Sequence, residues 1–150
     1  MQIDLASPEE AGALAAIFTT ARRAAMPWLP RIHTQADDLR FITGLVAGSG
    51  EVLVARHRSR PLGFVALSDL MLEHLYVASD AQRAGIGSAL LETAKSRRPA
   101  GLRLWVFQRN EGALAFYARH GFTEIERTDG AGNEEGEPDV LLAWRGRAPA

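Results

Sequence analysis

Three apolar, β-branched runs crowd into residues 51–78: EVLVARH at 51–57, PLGFVALSD at 61–69 and MLEHLYVA at 71–78. A short basic turn joins the first two and the third comes almost at once, so they read as an antiparallel hairpin extended by a third strand. The chain then leaves that sheet and returns to it. A glycine-containing segment opens a helix at about 83–97, then come strand 101–107, a helix at 110–120, and strands near 122–127 and 139–144. Ahead of the runs lie a short strand at 2–6 and two helical stretches. The order β-α-α-β-β-β-α-β-α-β-β predicts an α/β fold with a mixed, mostly antiparallel sheet flanked by helices.

The helical stretches carry their own punctuation. Ser7-Pro8-Glu9-Glu10 has the form of a capping box with proline in the first turn. Leu14, Ile17, Phe18, Ala21 and Ala25 then recur at amphipathic spacing. Met26-Pro27-Trp28-Leu29-Pro30 ends that helix, and Thr34 caps a second, with Leu39, Ile42 and Val46 expected inward. At 150 residues the chain suits one domain spanning 1–150. It contains no cysteine, which removes disulfides, thiolate metal sites and a cysteine nucleophile together. A net charge of -1 argues against a general nucleic-acid binder. No apolar run approaches a membrane span, and MQIDLASPEE lacks the features of a secretory signal, so the cytoplasm is the expected location.

The segment Gln82-Arg83-Ala84-Gly85-Ile86-Gly87-Ser88 lies between an apolar strand and a helix. Glycines there let a backbone approach a ligand closely, and the unpaired first-turn N–H groups with the helix dipole suit a phosphate or diphosphate. A strand-to-helix turn needing glycine for steric reasons alone reads equally well. The segment is not a Walker A loop, since Gly87 is followed by Ser88-Ala89, and it lacks the three spaced glycines of a dinucleotide fingerprint.

Gln82-Arg83-Ala84-Gly85-Ile86-Gly87 resembles the Gln/Arg-x-x-Gly-x-Gly/Ala signature of the GCN5-related N-acetyltransferase (GNAT) superfamily. Asn110-Glu111-Gly112-Ala113-Leu114-Ala115-Phe116-Tyr117 through Gly121-Phe122 is similar to that family's Asn-x-x-Ala-x-x-Phe-Tyr-x-x-x-Gly-Phe helix. The element order fits the family from about residue 2 to 144. The resemblance implies an acyl-CoA N-acyltransferase fold and acetyl transfer from acetyl-CoA to a primary amine, without metal, by direct attack in a ternary complex. It further implies that the backbone of Leu75 and Val77 holds the pantetheine arm between splayed strands. The backbone of Arg83, Gly85, Ile86, Gly87 and Ser88 would receive the pyrophosphate, with Gln82 part of the same signature. Asn110, an N-cap by position, would also bond the cofactor arm.

The resemblance also implies that Tyr117 protonates the leaving thiolate; a phenol of ordinary pKa is reasonably matched to an alkyl thiol. Strand alternation places Met71, Glu73, Leu75 and Val77 on one face and Leu72, His74 and Tyr76 on the other. The resemblance implies a base on the face of the cofactor-contacting Val77, so Glu73, which has that parity, is the candidate base or amine-orienting group, whereas His74 is expected beneath a helix. Trp28, His33 and Glu134 are expected to border the acceptor cleft, with 128–138 a polar loop. Trp105 and Phe107 read as packing. A small-molecule amine is the favoured acceptor. The alternatives are an acyl-CoA-binding module without turnover and an enzyme acting on protein N-termini or lysines. Dimerisation is common in the family, but no interface is legible.

Overall fold

The three runs at 51–78 pair as expected, and the remaining strands are added on either side. The computed structural model describes residues 1–82 and 84–147. Its elements are β1 (Gln2–Leu5), α1 (Ala11–Ala25), α2 (Gln35–Ala47), β2 (Glu51–His57), β3 (Arg60–Ser68), β4 (Met71–Val77), α3 (Ile86–Arg97), β5 (Leu102–Phe107), α4 (Glu111–Arg119), β6 (Thr123–Arg127) and β7 (Asp139–Trp144). They build a seven-stranded sheet in the order β1-β2-β3-β4-β5-β7-β6. Only the β4–β5 pair is parallel; the others are antiparallel. The mixed, mostly antiparallel architecture is the one expected.

Local chemistry sets the helix starts. A single turn of 3-10 helix at Pro8–Glu10 leads into α1, and the Glu10 carboxylate accepts the Ser7 N–H at 2.9 Å. The Thr34 hydroxyl accepts the Asp37 N–H at 3.1 Å, closing the open end of α2. Both faces of the central strands are buried, which is why 51–57 and 61–69 read as nearly continuous apolar runs. Val52, Val54 and Phe64 pack under α1 and α2, against Leu14, Phe18 and Ile42. Leu53, Val65 and Leu67 pack on the opposite face against Leu90 and Leu91 of α3, and that layer continues through Leu104, Tyr117 and Val140. Gly63 makes this close approach possible: a Cβ there would stand 2.8 Å from the Tyr76 carbonyl oxygen and 3.2 Å from a Leu90 methyl.

Four details depart from the expectations drawn from sequence. Leu39 is 45% exposed. The seam of α2 instead runs through Asp38, which accepts a 2.5 Å hydrogen bond from Thr19, and Ile42. Leu39 is one residue, or about 100° of helix rotation, away from Asp38. Ala25 is exposed on the cleft wall rather than in the core stripe. Trp105 is 46% exposed, since β5 alternates and only its Leu102, Leu104 and Val106 face is covered by helices. Finally, β4 does not alternate throughout. Ala66 pairs with His74 and Leu67 with Leu72, so Glu73 is an extra, bulged residue. Leu72 consequently packs on the α3 side with Leu75 and Val77, while Tyr76 lies in the α1 layer. Among the described residues no helix is long and apolar enough to cross a membrane.

Candidate active site

The parallel strands β4 and β5 pair at Met71↔Arg103 and then part. The opened strand edge has a definite polarity. The Ala78 N–H donates to the Leu62 carbonyl at 2.8 Å, and the antiparallel register continues as Gly63↔Val77, Phe64↔Tyr76 and Val65↔Leu75. Hydrogen-bonded and non-hydrogen-bonded pairs alternate along such a ladder. Tyr76 and His74 therefore spend their main-chain groups on β3, while those of Leu75 and Val77 face the gap. The cleft has a volume of about 810 Å3. Its walls are Leu72 to Val77 of β4, Leu104 to Phe107 of β5, the start of α3, and Asn110, Phe116 and Tyr117.

At one end the cleft meets the mouth of α3. Gly85 stands at the N-cap with φ 77°, a left-handed conformation that costs other residues about 1–2 kcal/mol. The helix's first hydrogen bond runs from the Ala89 N–H to the Gly85 carbonyl at 3.0 Å. The N–H groups of Ile86, Gly87 and Ser88 thus lack intrahelical acceptors. A Cβ on Gly87 would lie 3.7 Å from the Phe116 ring and from a Val77 methyl, filling the corner between α3, α4 and β4. The Gln82 amide donates to the Val77 carbonyl at 3.3 Å, bracing the loop against the strand edge. Arg83 lies outside the described residues. Asn110 caps α4, its side-chain oxygen accepting the Ala113 N–H at 3.3 Å; as a cleft-wall residue it also borders the gap.

Tyr117 is 8% exposed and lies on the cleft wall between Phe116 and Phe122. Burial, with a smaller contribution from Tyr76, pushes its phenol well above the usual range. The proton therefore stays on the oxygen across the working pH range. The match to a thiol expected from an ordinary phenol is displaced, and hydrogen-bond donation to sulfur becomes its strongest suit. Glu73 is exposed and on the wall of the cleft, placed there by the bulge. His74 is under α1 and α2, its ring against Phe18 and Phe41. Burial, aided by the Arg22 charge, lowers its pKa to about 4. It is neutral near pH 7 and a poor base.

The acceptor end is bounded by Ala21, Ala25 and Met26 of the α1 end and by Phe107 and Arg109. Trp28 stands behind this wall: its ring meets Phe107 edge-on at 6.2 Å, and the Arg109 guanidinium lies 4.4 Å over it. His33 and Glu134 are outside the cleft wall and bonded to each other at 2.9 Å. That hydrogen bond, with the Glu134 charge, raises the His33 pKa. Beside them Arg22 reaches Glu135 at 3.5 Å, so the 128–138 loop is tied to the α1–α2 segment. Phe107, Arg109 and Ala25 received no site role from the sequence, whereas Met26 belongs to the segment Met26–Pro30 that could wall the substrate or form a buried corner. The position of Phe107 and Arg109 immediately before the Asn110 cap was the one signal that could have found them. Among the described residues no group of three His, Asp or Glu side chains is placed to hold a metal ion.

The sheet thus has one parted parallel pair, with main-chain groups of β4 turned into the part and open helix amides at its end. Residues 48–124 match the family model described as an acetyltransferase (GNAT) domain. The chain belongs to the GNAT acetyltransferase family, whose chemistry is acyl-CoA-dependent transfer. It is 29% identical over 135 residues to the peptidyl-lysine N-acetyltransferase YjaB of Escherichia coli, covering 89% of this chain and 88% of that one. The solution structure of apo YjaB superposes with a TM-score of 0.80 at 26% identity, over 97% and 98% of the two chains. The peptidyl-lysine N-acetyltransferase YiaC of E. coli is 36% identical over 85 residues, 55% of this chain but only 56% of YiaC. In fold alone the chain also resembles the PaiA N-acetyltransferase of Thermoplasma acidophilum, solved with coenzyme A, at TM-score 0.73 and 20% identity over 96% and 98% of the chains. The free main-chain edge of β4, the cradle at Gly87 and the open amides of α3 all fit a coenzyme A thioester.

Proposed function

We propose that residues 1–150 form one catalytic domain that transfers an acetyl group from acetyl-CoA to a primary amine by direct attack within a ternary complex. The observation that carries this reading is the parted β4–β5 pair, with the main-chain groups of Leu75 and Val77 turned into the gap. When bound, the co-substrate supplies an activated acyl group on a thiol that can leave. Leu75 and Val77 align its arm by strand-like hydrogen bonds. Ile86, Gly87 and Ser88 offer N–H groups to its diphosphate, with Gln82 bracing the loop beside them. Asn110 holds the start of α4 and borders the arm. Glu73 accepts the amine proton, directly or through a water, at the open side of the cleft. Tyr117 keeps its proton and donates a hydrogen bond to the sulfur as negative charge develops there, and the thiolate leaves and takes its proton from solvent. With no cysteine in the chain, no thiol can carry the acyl group on the protein.

A lysine side chain is the acceptor favoured by the names of the relatives YjaB and YiaC and by the exposure of Glu73 at the cleft. A small-molecule amine is the second reading, supported by the apolar Phe107–Trp28 wall that narrows the acceptor end. Trp28 would act in either case through Phe107, and the His33–Glu134 pair, outside the cleft wall, from the surface beside it. A cytoplasmic setting belongs to the same proposal. The test is release of thiol from acetyl-CoA against lysine peptides, polyamines, amino acids and aminoglycosides. Fastest release with lysine peptides is the expected result, and preference for one small amine selects the second reading. Binding of acetyl-CoA without turnover on any amine would overturn the enzyme reading in favour of an acyl-CoA sensor.

A further inference from the structure

A line of hydrogen-bonding side chains runs back from the mouth of α3. Ser88 Oγ lies 3.1 Å from His120 Nε2, and His120 Nδ1 lies 3.4 Å from Glu92 Oε1. Ser88 is on the cleft wall and in the first turn of α3, whereas His120 directly follows α4. The imidazole is held in place, with the Phe116 ring at 4.8 Å and the His120 main-chain carbonyl accepting from Lys95. The signature-helix resemblance assigns no role to His120 or Glu92.

We propose that Ser88, His120 and Glu92 form a proton-coupled device that positions the cofactor diphosphate: Ser88 makes the contact, and His120 and Glu92 are positioning residues behind it. This rests on the reading that the diphosphate sits at the α3 mouth. In the tautomer with its proton on Nδ1, His120 donates to Glu92 and accepts the Ser88 hydroxyl at Nε2. A phosphate oxygen accepts that hydroxyl proton instead, since a phosphate is an acceptor only. Nε2 then faces the lone pairs of Oγ and can bond it only as a donor, so one proton enters from solvent. The imidazolium is bonded at both nitrogens, to Oγ and to Glu92, and its charge stands behind the diphosphate.

Charges of both signs surround the ring. On α3 it faces the Glu92 carboxylate, whose Oε1 also lies 3.7 Å from the Lys95 ammonium. Lys95 donates as well to the His120 carbonyl and lies 4.9 Å over the Trp144 ring. From the C-terminal segment Arg147 reaches the far oxygen of Glu92 at 4.0 Å. Arg119, the neighbour on α4, belongs to the cleft wall.

The experiment is calorimetry with dephospho-CoA, whose diphosphate diester does not titrate near neutrality, in buffers of different ionisation enthalpy. We expect net proton uptake on binding at about pH 7.5 and a Kd that weakens about threefold to tenfold between about pH 6.5 and about pH 8.5. His120→Gln, whose amide donates to Ser88 at any pH, should abolish both the uptake and the pH dependence. Ser88→Ala should also abolish the uptake with His120 untouched, which separates the relay from any packing effect of the glutamine. Binding by the wild type with no proton uptake, or uptake unchanged in both variants, overturns the relay and leaves the diphosphate site standing. Failure of the wild type to bind dephospho-CoA overturns both.

Discussion

The two ends of the cleft are built by different means. The end proposed for the donor is mostly backbone, a strand edge at Leu75 and Val77 and the first amides of α3, with the Asn110 side chain as a cap. The proposed acceptor rim lies outside the cleft wall and is made of side chains that meet across long stretches of chain, His33 with Glu134 and Arg22 with Glu135. Backbone geometry is set by local sequence, and a ligand held by it tolerates exchange of most neighbouring side chains. Rim geometry is set by pairs that no short motif encodes. The donor end therefore fits a shared co-substrate, while the rim is free to define the acceptor.

Changes near the acceptor end but beneath the sheet should act on folding rather than on either ligand. His74 titrates near 6.5 when unfolded but at about 4 in the folded protein. The unfolded chain thus binds the extra proton first, and stability present above about pH 6.5 is lost as pH falls towards 4. The full loss is about 3 kcal/mol, roughly a hundredfold in the folding equilibrium. Denaturant titration across that range should show it, and His74→Phe should flatten the acid limb. An unchanged limb in the variant would place the acid sensitivity elsewhere.

Tyr117→Phe comes next in size. It should lower kcat at least about tenfold with little change in cofactor affinity, because the hydroxyl serves the departing sulfur and not the arm. An unchanged kcat would remove Tyr117 from the reaction. Gly85→Ala should cost about 1–2 kcal/mol of stability through its left-handed φ, and weaken binding of acetyl-CoA by loosening the α3 mouth. Smallest of all, breaking the exposed His33–Glu134 pair with His33→Ala should leave cofactor affinity unaltered and move the acceptor KM by about threefold or less. A large change in cofactor affinity there would erase the distinction between the two ends.

The same contrast explains what the sequence could disclose. Gly85, Gly87, Asn110 and Tyr117 were legible because each answers a local demand: a left-handed turn, a close approach, a cap, a helix face. The antiparallel strands at 51–57 and 61–69 were legible because buried central strands read as continuous apolar runs. The bulge at Glu73 was not, since it arises from register against β3 and leaves no mark in the composition of 71–78. It reversed the face assigned to Leu72 while leaving His74 beneath the helices and Glu73 at the cleft. The seam of α2 through Asp38, the wall formed by Phe107 and Arg109, and the Ser88–His120–Glu92 line depend on neighbours distant in sequence. Alternation and motif spacing carry no information about such neighbours.

Residue-resolved amide exchange of the protein with and without acetyl-CoA probes the open edge of β4 most sharply. The amides of Leu75 and Val77 should become markedly slower to exchange on binding, while those of His74 and Tyr76, already bonded to β3, should change little. Equal slowing at all four positions, or none at Leu75 and Val77 under saturating ligand, would contradict a cofactor arm lying along that strand.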